Sequence, residues 1–163
     1  MEDEKAQQLH KRYGPLLYRV AFSYVKSRAD AEDAVQETYM RLLQKKPIFE
    51  NEEHRKAWLL RAVINICKDI LKSAWNNRTV GYEGVSEKEK ASLDLPYGIE
   101  DETIWLVMEL NEKYRTPLYL FYYEGYSIRE ISHFLNLPES TVKTHLKRGR
   151  EILRGYLEQN ETN

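Results

Sequence analysis

A chain of 163 residues, 42% hydrophobic and 31% charged, has room for one compact domain or two small ones, and its apolar runs are too short for a membrane span or a secretory leader. Its single cysteine, Cys67, excludes an internal disulfide and a cysteine cluster for zinc. The net charge of −1 excludes an overall polycation, so any grip on a polyanion must come from local segregation of charge.

From about Lys5 to Trp75 nearly every window fits a helical apolar period, and no strand alternation is sustained. Within it, "ADAEDAVQETYMRLLQKK" predicts a helix capped by Asp30, with Glu32 and Asp33 in the first turn and an end at Pro47. Ala31, Ala34, Val35, Thr38, Tyr39 and Leu42 make its inward stripe, which leaves Asp33, Gln36, Glu37 and Met40 facing elsewhere. A second long helix, "HRKAWLLRAVINICKDILKSAW", has Trp58, Leu59, Ala62, Val63, Ile66 and Ile70 at core spacing, and Cys67 reads as a buried structural thiol. Arg61, Asn65, Lys68 and Lys72 line up on its other side, a positive face that as a pattern alone could equally be no more than solvated.

Residues 76–98 lose this periodicity and gather glycine, proline, asparagine and mixed charge, the composition of a flexible tether. The helical pattern resumes near Glu100. Thr116 and Pro117 are the expected cap and first residue of a helix "PLYLFYYE" closed by Gly125. Ser127 and Glu130 form a capping box for the next helix, whose apolar face is Ile128, Ile131 and Phe134 or Leu135. Asn136 suits a left-handed corner, Pro138 opens the last helix, and Val142, Leu146 and Ile152 or Leu153 pack inward. The fold class is therefore all-α: two small helical domains, residues 1–75 and 99–163, joined by the tether, the second with helix-turn-helix geometry.

With Val142 and Leu146 inward, Lys143, Thr144, Lys147 and Arg148 point outward near the start of the last helix, the half that enters a major groove. Arg150 and Arg154 lie farther along, where phosphates would be met. Arg148 is the prime candidate for base readout, since its planar fork spans guanine O6 and N7, worth roughly 1–3 kcal/mol against a wrong base. The four histidines are scattered without metal-ligand spacing, no glycine-rich phosphate cradle occurs, and the carboxylates are spread along helices, so neither an enzyme nor a metal or cofactor site is expected.

The succession "RADAEDAVQETYMRLL", "FENEEHRKAWLLRAVINICKDIL", tether and "YSIREISHFLNLPESTVKTHLKRGREILR" resembles the extracytoplasmic-function (ECF) class of bacterial sigma factors over nearly the whole chain. The resemblance implies that the first domain is sigma region two, which binds core RNA polymerase and the minus-ten element, and the second is region four, which binds the minus-thirty-five element. Asp33, Gln36 and Glu37 match the motif that docks on the basic β′ coiled coil of the polymerase. The loop from Lys46 to His54 matches the specificity loop that receives a flipped non-template base, with Phe49 on a commonly aromatic position. Asn65 matches an asparagine that contacts the same strand, and Arg61, Lys68 and Lys72 would follow its backbone. Lys143, Thr144 and Arg148 fall on positions the family uses to read the minus-thirty-five duplex, and Lys147 and Arg150 join them by their place on the same helix. Asn136 stands where the family often has glycine, and His145 where it usually has a small or basic residue.

The family further implies a cytoplasmic protein that opens promoters only together with polymerase and is restrained by a membrane-anchored anti-sigma factor. Separating about ten base-pair steps at roughly 1.4 kcal/mol each costs on the order of 14 kcal/mol, more than one base pocket and a few stacked bases return. The competing expectation is a stand-alone helix-turn-helix regulator of the LuxR type, with residues 1–75 as its sensor or dimerisation module.

Overall fold

In the computed structural model, which describes residues 2–77 and 103–162, three helices make the first unit: α1 (Glu2–Val25), α2 (Arg28–Lys45) and α3 (Glu52–Asn77). Leu17, Val20, Ala21 and Phe22 of α1 meet Ala31, Ala34 and Val35 of α2 and Leu59, Leu60, Val63, Ile64 and Cys67 of α3, all buried. Completely enclosed alanines at 31 and 34 let the α1 and α2 backbones approach closely. The buried stripe of α2 is the predicted one, Ala31, Ala34, Val35, Thr38, Tyr39 and Leu42.

The start of α2 differs from expectation. Ser27, not Asp30, is the cap: it is extended, and its Oγ accepts from the Asp30 backbone N–H at 3.2 Å. Lys26 ends α1 in the left-handed conformation, with φ 57°, so the chain reverses over Lys26 and Ser27 alone and the next helix has to begin at once. Asp30 thereby lies inside the first turn, where the helix dipole favours its charge. Lys46 ends α2, also left-handed, with its N–H donating to the Leu42 carbonyl at 3.0 Å.

The second unit holds α4 (Thr103–Met108), α5 (Glu112–Leu118) continuing into a π turn (Tyr119–Tyr123), α6 (Ile128–Leu135) and α7 (Glu139–Thr162). Here Thr116 and Pro117 do not start a helix. Asn111 caps α5, its side chain accepting from the Lys113 N–H at 3.1 Å, and Thr116 is buried inside the helix. Asn111 followed by Glu112 is itself a complete start signal, and it precedes the Thr-Pro pair. Pro117 removes one helical donor, and directly after it the ladder widens: the Glu124 N–H reaches back to Tyr119 at 3.2 Å. Gly125, at φ 76°, ends the turn as expected, and the Tyr126 N–H closes on Leu120 at 3.0 Å.

Both hydrogen bonds of the Ser127–Glu130 capping box are made, and Asn136 holds the corner at φ 54°. Pro138 is the cap of α7 and not its first residue, its carbonyl accepting from Thr141 and Val142. Ile131, Phe134, Leu135, Val142 and Leu146 pack the two-helix core. Every described element is helical, and α3 runs to Asn77, so all of the expected tether but its first two residues lies outside the described residues.

Candidate functional site

Helix α2 presents two outward surfaces that grow from one periodicity. With its stripe of Ala31 to Leu42 turned inward, Asp33, Gln36 and Glu37 are all exposed on one face, and Met40 and Leu43 extend that face with half-exposed apolar surface. Arg41, one turn after Glu37, pairs with it at 3.5 Å and reaches toward α3. Between α2 and α3 lies an open groove of about 240 Å³, lined by Arg41, Lys45, Trp58, Arg61, Ala62 and Asn65. Three cations, one amide and one indole converge there, a set suited to a phosphodiester and an unstacked base.

The predicted residues divide in space. Arg61 and Asn65 line the groove, whereas Lys68 and Lys72 lie farther along α3, outside its lining. Lys72 is exposed, while burial holds the half-buried Lys68 ammonium below the usual lysine range. Phe49 is half-buried beside the groove, edge-on to Trp58 at 6.0 Å between centroids. The groove also recruits Arg41, Lys45 and Trp58, none of which was among the predicted contacts. Arg41 and Lys45 stand one turn apart at the end of α2, a pairing visible in the sequence. By its spacing Trp58 belongs to the core, yet it is half-buried and forms a wall of the open groove.

On α7, Lys143, Thr144, Lys147, Arg148 and Arg150 are all exposed. The Thr144 hydroxyl donates to the Ser140 carbonyl at 3.0 Å, which leaves its methyl and its lone pairs outward. Arg150 donates to the Tyr122 hydroxyl at 3.1 Å and is thereby steered toward the π turn. His145 is half-buried and meets Tyr114 edge-on at 5.8 Å; burial, and then the charges of Lys113 and Arg148, lower its pKa. It is neutral in this setting at pH 7 and adds no cation to the face. Gly149 lets α7 lie against α5, since a Cβ there would stand 2.7 Å from Leu118 Cδ1.

Residues 9–77 match the family Sigma-70 region 2, and residues 106–153 match Sigma-70, region 4. Among curated proteins the chain is 28% identical to the ECF RNA polymerase sigma factor SigW of Bacillus subtilis, over 89% of this chain and 84% of that one. To SigX of the same organism it is 27% identical, over 96% and 85%. Among solved structures, the sigma factor RpoE from Bartonella quintana, in complex with the anti-sigma factor NepR, superposes with a TM-score of 0.73 at 24% identity, covering 97% of this chain and 98% of that one.

Proposed function

The chain belongs to the ECF family of RNA polymerase sigma factors, and from that premise we propose that it recruits core polymerase through α2 and delivers it to promoters through two DNA-facing surfaces. The observation that carries the assignment of surfaces is the groove between α2 and α3. It joins Arg41, Lys45, Arg61 and Asn65 to Trp58 beside the loop 46–51, and it offers single-stranded DNA both charge and a stacking face. Asp33, Gln36 and Glu37 form the docking face for the basic β′ coiled coil, supported by their exposure and their acidic character. Lys143, Thr144, Lys147 and Arg148 read the minus-thirty-five duplex in its major groove, and Arg150 meets phosphate at the edge.

The family match over residues 9–77 disfavours the stand-alone regulator, which required that segment to be a sensor or dimerisation module. Sigma factors are initiation factors, so nucleotide chemistry falls to the polymerase. No described helix is long and apolar enough to cross a membrane, in keeping with a cytoplasmic subunit. Residues 1–75, with the last two residues of α3, act as region two and 99–163 as region four, and the rest of 76–98 is the tether. An anti-sigma factor is the regulatory partner, a reading supported by the complex in which RpoE was solved, and its anchoring in a membrane rests on the family resemblance alone.

Run-off transcription with core polymerase and a promoter carrying matching minus-thirty-five and minus-ten elements tests the proposal. Promoter-specific transcripts are expected only when the chain is added; equal initiation by core alone would overturn it.

A further inference from the structure

Beneath the loop between α2 and α3 a set of contacts leads from α1 to the wall of the groove. Tyr13 of α1 is buried, and its hydroxyl donates to Glu52 Oε2 at 2.6 Å, across thirty-nine positions of sequence. Arg12 approaches the same oxygen at 3.6 Å. The other carboxylate oxygen, Oε1, accepts from Arg55 Nη1. The Arg55 guanidinium in turn stands 5.4 Å from the centre of the Phe49 ring. Phe49 meets His54 edge-on at 5.5 Å and Trp58 at 6.0 Å, and Trp58 is a wall of the groove.

The loop backbone is tied at the same place. Asn51 caps α3 by accepting from the His54 N–H at 2.8 Å, and the Glu50 N–H donates to His54 Nδ1 at 3.2 Å. Contacts therefore run unbroken from a buried phenol on α1, through one carboxylate, to the aromatic pair beside the groove. The Tyr13 hydrogen bond, and then the two guanidinium groups, hold the Glu52 carboxyl below its ordinary range against the opposing effect of burial, so it is ionised at neutral pH and keeps both guanidinium partners.

We infer that Glu52, held by Tyr13, is a positioning residue that fixes the loop 46–51 and the Phe49–Trp58 pair in a DNA-ready arrangement before any strand arrives. The inference rests on the proposal that this loop and groove receive the minus-ten strand. A reading surface must be rigid to discriminate, because a mobile aromatic accommodates any base, and here rigidity is imported from the α1 core. Glu52 contributes to selectivity without touching DNA.

Tyr13→Phe and Glu52→Gln are conservative changes that weaken the relay at one link each. The test uses full-length protein with core polymerase on two promoters that differ by one minus-ten base. The ratio of transcription from the two is expected to fall about tenfold in each variant, and the double variant is expected to fall no further than either single one, as members of one coupled unit behave. Core affinity and thermal midpoint should stay at wild-type values. Unchanged discrimination in both single variants would overturn the inference. So would losses of core affinity or thermal midpoint that parallel the loss of discrimination, the mark of a merely structural contact. A wild-type chain that directs no promoter-specific transcription would strike at the proposed function instead.

Discussion

Cys67 has no exposed surface, and its thiol lies 3.9 Å from the Ala21 carbonyl. Burial, and then the charge of Asp30, pushes its pKa up to about 12. At pH 8 the thiolate fraction falls by about three orders of magnitude from that of a free cysteine, so a thiol reagent should modify the native chain at least a thousandfold more slowly than the denatured one. The same burial has a stability consequence whose sign is fixed. The folded state keeps a proton that the unfolded state releases from about pH 9, so the contribution is full below pH 9 and is lost as pH rises toward 12. Tyr39, also raised to about 12 by burial and then by Tyr13, works in the same direction from pH 10 upward. Alkaline titration followed by circular dichroism should show the first unit unfolding in that window, and Cys67→Ala should move the transition to higher pH. Among the surface cations, Arg148→Ala is expected to relax sequence preference at one minus-thirty-five position by roughly 1–3 kcal/mol. Arg150→Ala should instead weaken all sequences alike and reduce the salt slope by about 1, which titrations of duplex binding at two salt concentrations distinguish. The outward placement of residues such as Arg148 and Glu37 was legible in the sequence because periodicity fixes direction. Glu52 was not, because its partner Tyr13 is remote in sequence and no local pattern announces the hydrogen bond.

The corner between α6 and α7 was legible in the sequence, whereas the first residues of α2 and α5 were not. The Ser127–Glu130 box and the Asn136 corner are local devices complete within a few residues, and they set α6 and the turn after it as expected. Helix α5 was misread because proline carries two opposite signals, a favoured first residue and an interior disruption, and only packing decides between them. The close approach of α5 and α7 was likewise invisible, since Gly149 inside a helix looks like a mere weakness. It provides a paired test within α7. Gly155→Ala meets nothing within 4 Å and should stabilise by about 0.5–1 kcal/mol through helix propensity. Gly149→Ala gains the same propensity but drives a methyl group into the nearly buried Leu118 side chain, an overpacking cost of about 1–3 kcal/mol, so it should destabilise on balance. Thermal denaturation of the two variants should therefore show shifts of opposite sign.

At the scale of the whole molecule, function was legible because order and spacing of motifs carry more than any single one. A helix-turn-helix is common, but one following an acidic helix, a cationic helix and a tether-like stretch is a narrow pattern. What sequence could not supply was the groove, since Arg41 and Lys45 of α2 meet Arg61 and Asn65 of α3 only after folding. About five cations on α7 would give a salt slope of at most about −4 to −5, a grip readily lost at cellular salt. Joining it to a second weak surface multiplies affinity through effective concentration without any new contact. Changing Asp33, Gln36 and Glu37 together to alanine should abolish capture by core polymerase in a pull-down, while thermal stability moves by less than about 0.5 kcal/mol per site, as exposed positions generally do.

The segregation of α2 into a sealed alanine-lined side and an open charged side has an evolutionary corollary. Each enclosed alanine is a fixed point, for any larger side chain would have to force two helices apart, whereas the opposite side can drift almost without thermodynamic penalty. On the docking role proposed for that open side, duplicated copies retune how tightly each is held by its partner while inheriting one unaltered scaffold.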